Sequence, residues 1–219
     1  MKIDMLVAVV ALCALTVAGC AQPMTKTQKG AAIGTGVGAA AGAGLGQAIG
    51  GDTKGTLLGA GIGAVVGGLA GAGIGNYMEK QEAALQQQFA ASDSASIRRD
   101  ADVLAVTFKS DVLFDSGSSA LKAGAYQEIN RVSQVLTQYP ETRIMIAGHT
   151  DGDGSEAFNQ DLSVRRAEAV RSALVSQGVS SSRITTMGFG ETQPVADNNT
   201  AAGKQLNRRV VITIVPQNA

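Results

Sequence analysis

The residues best suited to chemistry form a charged cluster in the second half of the chain. Gly148-His149-Thr150-Asp151 ends a predicted strand, and Arg165 and Arg166 lie on the helix predicted to follow it. Asn207-Arg208-Arg209 leads into the last predicted strand. Ligand contacts in α/β sheets gather where strand ends face helix starts. We therefore expect one acid and several arginines around a single mouth, where guanidinium groups make strong charge-assisted hydrogen bonds.

The same region gives little support to catalysis. His149 is the single histidine, and both cysteines, Cys13 and Cys20, lie far from it in the sequence. A zinc site needs several such ligands, and no Gly-x-Ser-x-Gly motif of a serine hydrolase is present. Asp151-Gly152-Asp153-Gly154 resembles the start of a calcium loop, but Leu162 takes the closing position that requires Glu. We expect no enzyme, no metal and no cofactor, and a structural role for His149.

Alternating strands and helices are predicted to position the cluster. Short apolar runs predict strands at 103–108, 143–147, 183–187 and 210–215, and helical periodicity predicts helices at 123–138 and 158–177. The inward face of the first helix is expected to carry Ile129, Val132, Val135 and Leu136. This alternation predicts a two-layer α/β sandwich over residues 95–219.

The N-terminus predicts export and lipidation. Lys2 precedes an apolar run over residues 5–15, which is long enough for a signal peptide and too short for a membrane span. Val17-Ala18-Gly19-Cys20 has the form of a lipobox, so residues 1–19 are expected to be cleaved and Cys20 to be lipidated. The plainer alternative is an ordinary signal peptide with an incidental cysteine. Ala21 follows Cys20, where an Asp would imply inner-membrane retention by resemblance to known lipoproteins, so the outer membrane is favoured.

Glycines recur at every fourth position from Gly34 to Gly50 and again from Gly55 to Gly75. This spacing places them on one helical face, where two backbones can approach closely. We interpret residues 33–76 as a glycine-zipper helical hairpin that associates with the membrane or with itself. Flexible low-complexity sequence is the alternative, because glycine disfavours helix in water.

The flanking segments and the charge balance complete the organisation. Residues 20–32 are expected to be a lipidated linker, and residues 77–94 a helical, polar linker that spaces the following domain from the membrane.

The chain has 18 basic and 18 acidic residues, so no net charge attracts nucleic acid. A nucleic-acid partner is therefore not expected.

The order of motifs over residues 102–215 resembles the peptidoglycan-binding C-terminal domain of the outer-membrane protein A family. The resemblance implies a ligand, the diaminopimelate residue of the peptidoglycan stem peptide, whose free end carries an ammonium beside a carboxylate. The motifs that carry it are Phe114-Asp115, the run from Gly148 to Ala167, Gly188-Phe189-Gly190, Pro194 and Asn207-Arg208-Arg209.

The resemblance also implies roles for individual residues. Asp151 matches the acid that holds the ammonium, and Arg166, selected over Arg165 by the Leu-Ser-x-x-Arg-Ala spacing, matches the arginine that holds the carboxylate. Asp151 could instead simply cap its loop, and Arg166 could be a solvated helix residue. One arginine of the Asn207 motif is equally well an internal ion-pair partner. The further implied ligand contacts are Thr150, Asn159, Asn207, Arg208 and Asp115.

Together these features predict a non-enzymatic tether, lipid-anchored in the outer membrane through Cys20 and bound non-covalently to peptidoglycan. In a rival hypothesis the glycine-rich segment is the active part, as a membrane assembly factor acting with the barrel-assembly machinery, and wall binding only localises it. A stator or secretion-complex component is disfavoured because no charged transmembrane helix is present to carry protons.

Overall fold

The computed structural model describes residues 72–217. The predicted signal peptide, Cys20 with its linker, and the glycine ladder up to Gly71 lie outside the described residues. Within residues 72–217, no helix combines the length and the apolar composition that crossing a membrane requires.

A mixed five-stranded sheet forms one layer of the fold. Neighbouring strands are antiparallel except for the parallel pair β3–β4, which a helix connects. The spatial order is β1-β2-β5-β3-β4. The strands are β1 (Ala95–Asp100), β2 (Val103–Lys109), β3 (Thr142–Gly148), β4 (Ile184–Gly188) and β5 (Arg209–Pro216).

Helices cover the face of the sheet that carries the core. Alternate residues of β2 and β5 are fully buried, with Leu104 opposite Ile214 and Val106 opposite Ile212. The helix α3 buries its predicted face of Ile129, Val132, Val135 and Leu136. The predicted two-layer α/β arrangement is therefore confirmed. The helices are α1 (Ala72–Phe89), α2 (Ser110–Leu113), α3 (Ala123–Gln138), α4 (Glu156–Ser176) and α5 (Ala201–Asn207).

Helix α1 differs from the spacer expected at residues 77–94. It runs without interruption through the boundary expected at residues 76 and 77 and packs on the domain, where Met78, Leu85 and Phe89 are buried. The Tyr77 and Tyr139 rings meet edge to face, with centroids 5.2 Å apart. The segment reads as polar because its apolar residues are few, but their spacing places them on one helical stripe.

Two strand ends approach α4 so closely that only glycine fits. A Cβ atom at Gly148 would collide with the backbone carbonyl of Ser163, and one at Gly188 with the side chain of Ser163 and the backbone of Val164. The Ser163 hydroxyl accepts a hydrogen bond of 2.9 Å from the Gly190 backbone N–H. These contacts fix α4 against β3 and β4.

His149 begins the loop that follows β3, and it is part of the packing. Its ring is buried and stacks on Phe189, with the centroids 5.3 Å apart. Burial, reinforced by the nearby Arg209 charge, holds the pKa of His149 well below its usual range. This environment agrees with the structural role expected for the residue.

We expect Gly148→Ala to destabilise the protein by about 1–3 kcal/mol, because the added methyl group must displace the α4 backbone. Thermal unfolding of the full-length protein, followed by circular dichroism, measures this loss. Gly124→Ala is the matched control, since nothing lies within 4 Å of its added Cβ on α3. An unchanged melting temperature for Gly148→Ala would contradict the close packing.

We expect the free energy of unfolding to fall as the pH drops below about 6.5, the ordinary pKa of an unfolded histidine. Below this pH His149 binds a proton in the unfolded chain but stays neutral in the folded protein. Protonation therefore favours the unfolded state, and the free energy of unfolding falls by up to about 2 kcal/mol near pH 5. His149→Phe keeps an aromatic stack and removes this contribution. Urea unfolding of both proteins at pH 7.5 and pH 5 measures the difference, and equal losses in the two would contradict the assignment.

Candidate functional site

The charged residues predicted from the sequence lie close together where β3 ends, and we call the surface that they form the charged mouth. Asp151 lies in the loop after β3, Arg166 lies on α4, and Arg208 lies between α5 and β5. Backbone hydrogen bonds hold the loop, from the His149 N–H to the Arg209 carbonyl (2.9 Å) and from the Thr150 N–H to the Gly190 carbonyl (2.8 Å). The loop is therefore attached to both neighbouring segments of the fold.

Asp151 is 8% exposed and already holds a cation. Its Oδ2 accepts a hydrogen bond of 2.7 Å from Nη1 of Arg208, which is an ion pair. Its Oδ1 accepts a bond of 3.3 Å from the Asp153 N–H, so the carboxylate also caps its own loop. The two roles use different oxygens of one carboxylate.

Arg208 lies between two carboxylates. Its Nη2 is 3.4 Å from Oδ2 of Asp111, whereas its Nη1 contacts Asp151. The hydrogen bond to Asp151, with a smaller contribution from Asp111, raises the pKa of Arg208. Asp111 was not predicted from the sequence. It belongs to none of the recognised motifs, and the only available signal was a polar pair directly after a strand.

Arg166 is 3% exposed, so it is not a solvated helix residue. Its Nε donates to the Ser118 carbonyl (2.8 Å), and its Nη2 donates to the Asp115 carbonyl (3.3 Å). The guanidinium carbon lies 5.1 Å from the centre of the Phe114 ring, in a cation–π contact. Burial lowers the pKa of Arg166, and the Asp111 and Asp151 charges oppose that shift. By contrast, the neighbouring Arg165 is exposed and pairs with Asp161 along the helix.

Three of the other predicted contacts shape the mouth in different ways. The Asn159 side chain donates to the carbonyls of Asp151 (3.3 Å) and Asp153 (3.0 Å), which holds the loop against the start of α4. The same amide nitrogen also donates to Oε2 of Glu191 (2.5 Å), which brings a further carboxylate to the mouth. Thr150 is buried, and its hydroxyl has no hydrogen-bond partner among residues 72–217. The Asp115 carboxylate is exposed and lies 3.2 Å from the Lys122 ammonium, so only its carbonyl contacts Arg166.

Asn207 is fully buried and holds a neighbouring loop. Its Oδ1 accepts from the N–H groups of Val195 (2.8 Å) and Ala196 (3.0 Å). Its Nδ2 donates to the Ala196 carbonyl and to Oδ1 of Asn198, both at 2.8 Å. These bonds use the hydrogen-bonding capacity of the amide, which leaves little for a ligand.

Arg209, beside the mouth, is also committed internally. It donates to the carbonyls of Asn207 (3.2 Å) and Gln193 (3.1 Å), and burial lowers its pKa to about 10. Of the two adjacent arginines, Arg208 therefore makes the ion pair and Arg209 supports the backbone. The mouth itself contains two guanidinium groups, Arg166 and Arg208, and three carboxylates, Asp111, Asp151 and Glu191. Such a set can bind a molecule that carries both charges close together.

Comparison with known proteins supports the family resemblance of the C-terminal domain and the interpretation of the glycine-rich segment as a glycine zipper. "Probable lipoprotein YiaD" of Escherichia coli (strain K12) is 42% identical over 144 residues, which are 66% of this chain and 65% of that protein. "Peptidoglycan-binding protein ArfA" of Mycobacterium bovis is 39% identical over 103 residues, which are 47% of this chain and 32% of that protein. The chain thus spans less than two thirds of the length of either relative.

A solved structure has the same fold. The cell wall anchor of the T6SS from Pseudomonas aeruginosa superposes with a TM-score of 0.56 at 27% identity, over 61% of this chain and 96% of that one. Residues 113–208 match the OmpA family, and residues 1–79 match the YMGG-like Gly-zipper family. The resemblance read from the sequence is therefore confirmed: this chain carries an OmpA-family domain, preceded by a YMGG-like Gly-zipper segment.

Proposed function

We propose that the charged mouth binds the zwitterionic end of diaminopimelate in peptidoglycan, and that the chain thereby tethers the outer membrane to the cell wall. The observation that carries this proposal is the presence of a nearly buried carboxylate, Asp151, and a nearly buried guanidinium, Arg166, at one mouth. The names of two similar proteins, a peptidoglycan-binding protein and a cell wall anchor, support it.

Arg166 is the receptor for the ligand carboxylate. Two backbone carbonyls and the Phe114 ring hold its guanidinium in place, so little conformational entropy is lost when a ligand arrives. Its Nη1 donates to no protein group within residues 72–217 and is the group left for the ligand. A planar guanidinium suits a carboxylate better than an ammonium does.

Asp151 is the receptor for the ligand ammonium, and Arg208 occupies it in the ligand-free protein. The incoming ammonium competes for Oδ2, and Arg208 keeps a second carboxylate, Asp111, on its other side. Binding thus exchanges one ion pair for another and leaves no buried charge unpaired. The Thr150 hydroxyl, which has no partner within the described fold, supplies a neutral hydrogen bond.

The tether needs a second attachment, which we assign to lipid on Cys20. The lipobox pattern and the likeness to a protein named as a lipoprotein support this anchor and an outer-membrane location. Because α1 packs on the domain, the distance to the membrane must be spanned by the residues before Ala72. One solvent-accessible, salt-bridged ligand binds weakly, but many copies of the protein facing one polymer gain by effective concentration.

A second candidate function is favoured by the Gly-zipper match over residues 1–79. In this alternative the glycine-rich segment assembles in the membrane, with itself or with the barrel-assembly machinery. Peptidoglycan binding by the domain would then only localise that activity.

We expect the full-length protein in detergent to sediment with insoluble diaminopimelate-type peptidoglycan, and free diaminopimelate to release it. Asp151→Asn and Arg166→Gln should each weaken sedimentation at least about tenfold, because each leaves one ligand charge without its partner. Arg165→Gln, one residue away on the exposed side of α4, is the matched control. The proposal fails if the wild-type protein stays in solution, or if the two variants sediment as it does.

We expect substitutions at Arg208 and Asp111 to act in opposite directions. Arg208→Gln removes the resident cation from Asp151 and should strengthen diaminopimelate binding by about three- to tenfold. Asp111→Asn leaves Asp151 as the one acidic partner of Arg208 and should therefore weaken diaminopimelate binding. Titration calorimetry on the folded variants measures both. Weaker binding by Arg208→Gln would instead make Arg208 a direct ligand contact.

A further inference from the structure

An open groove of about 560 Å³ lies among α1, α3 and the end of α4. None of its lining residues belongs to the charged mouth. Tyr126 and Arg131 are among its lining residues, and none of the lining residues is acidic. The other lining residues all have carboxamide side chains: Gln88, Gln127, Asn130, Gln134 and Gln177.

Most of these polar groups are free to bind a ligand. Only two side-chain bonds satisfy the carboxamides from within the described domain: Gln134 Nε2 to Asn130 Oδ1 (2.8 Å) and Gln177 Nε2 to the Tyr126 carbonyl (3.3 Å). Gln177 Oε1 is buried and accepts no hydrogen bond from any residue in 72–217. An unsatisfied buried acceptor gains when a ligand or a water molecule supplies a donor.

The single cation among the lining residues already has an anionic partner. Arg131 donates a hydrogen bond of 2.8 Å from Nη1 to the Gln88 carbonyl, which joins the end of α1 to α3. Its Nε makes no hydrogen bond within residues 72–217 but forms an ion pair with Oε2 of Glu128 at 3.6 Å. The groove therefore offers neutral amides that both donate and accept, and it does not require a charged ligand.

Saccharides match this lining. Each hydroxyl group both donates and accepts, as a carboxamide does, and an acetamido group is itself an amide. The Tyr126 side chain is 49% exposed and presents an aromatic surface on which the C–H face of a pyranose ring can stack. A peptide ligand would use the same amides but would gain less from the single exposed ring.

We propose that this groove is a second binding site, which takes a neutral oligosaccharide. The identification of this oligosaccharide with the glycan strand of the cell wall rests on the proposed function. Arg166 and Gln177 lie on and directly after α4, eleven positions apart, which corresponds to about 16 Å along the helix. One polymer carrying peptides on a glycan strand can therefore contact the mouth and the groove together, and the two weak contacts reinforce each other.

The test uses the full-length protein in detergent and a soluble, uncharged oligomer of N-acetylglucosamine as the probe. Saturation-transfer NMR should detect binding to the wild-type protein. Tyr126→Ala and Gln134→Ala should each weaken it at least about fivefold, and Gln205→Ala, an exposed carboxamide on α5, should leave it unchanged. Arg166→Gln should retain the oligosaccharide and lose diaminopimelate, which separates the two sites.

Three results would overturn the proposal. These are no transfer to the oligomer, equal binding by Tyr126→Ala and the wild-type protein, or displacement of the oligomer by a neutral peptide at lower concentration. If diaminopimelate still binds in any of these cases, the groove proposal fails and the wall-binding function stands. If the oligomer binds while diaminopimelate does not, the groove proposal stands and the assignment of the charged mouth fails.

Discussion

The close packing of α4 against the ends of β3 and β4 is the constraint on which the site depends. Gly148 and Gly188 allow the helix backbone to lie where any Cβ would stand, and the Ser163 hydroxyl bonds to the Gly190 backbone. Arg166 lies one helical turn after Ser163, so its position follows from this contact. The loop that carries Asp151 starts at the same strand end. The Asp151 carboxylate and the Arg166 guanidinium are thus positioned by one packing interaction between uncharged groups.

The two buried charges of the site, Arg166 and Asp151, are stable only because each has partners. Arg166 is held by backbone carbonyls and an aromatic ring, whereas Arg208 bridges Asp151 and Asp111. These partners offset the desolvation cost of burying Arg166 and Asp151. In the proposed function, recognition is an exchange of ion-pair partners. Such an exchange favours reversible binding, which suits the proposed attachment to a wall that is remodelled during growth.

The packing of α1 changes how the two halves of the chain are connected. A free polar spacer would have separated the domain from the membrane, but Met78, Leu85 and Phe89 are buried in the same core as the sheet. Helix α1 is therefore part of the domain and not a free linker. The same helix supplies Gln88 to the carboxamide groove, so the groove exists only when α1 is in place.

The sequence by itself determined the alternation of strands and helices, the buried face of α3, and the motifs of the OmpA family, because periodicity and motif spacing are local along the chain. It also selected Asp151 and Arg166, the two residues to which the proposed ligand contacts are assigned. Only the tertiary structure decided their partners. Asp111 meets Arg208 across 97 positions and Asp151 meets it across 57, while Asn207 turns inward to a loop. Such pairings depend on how separate elements pack, and no local pattern encodes them.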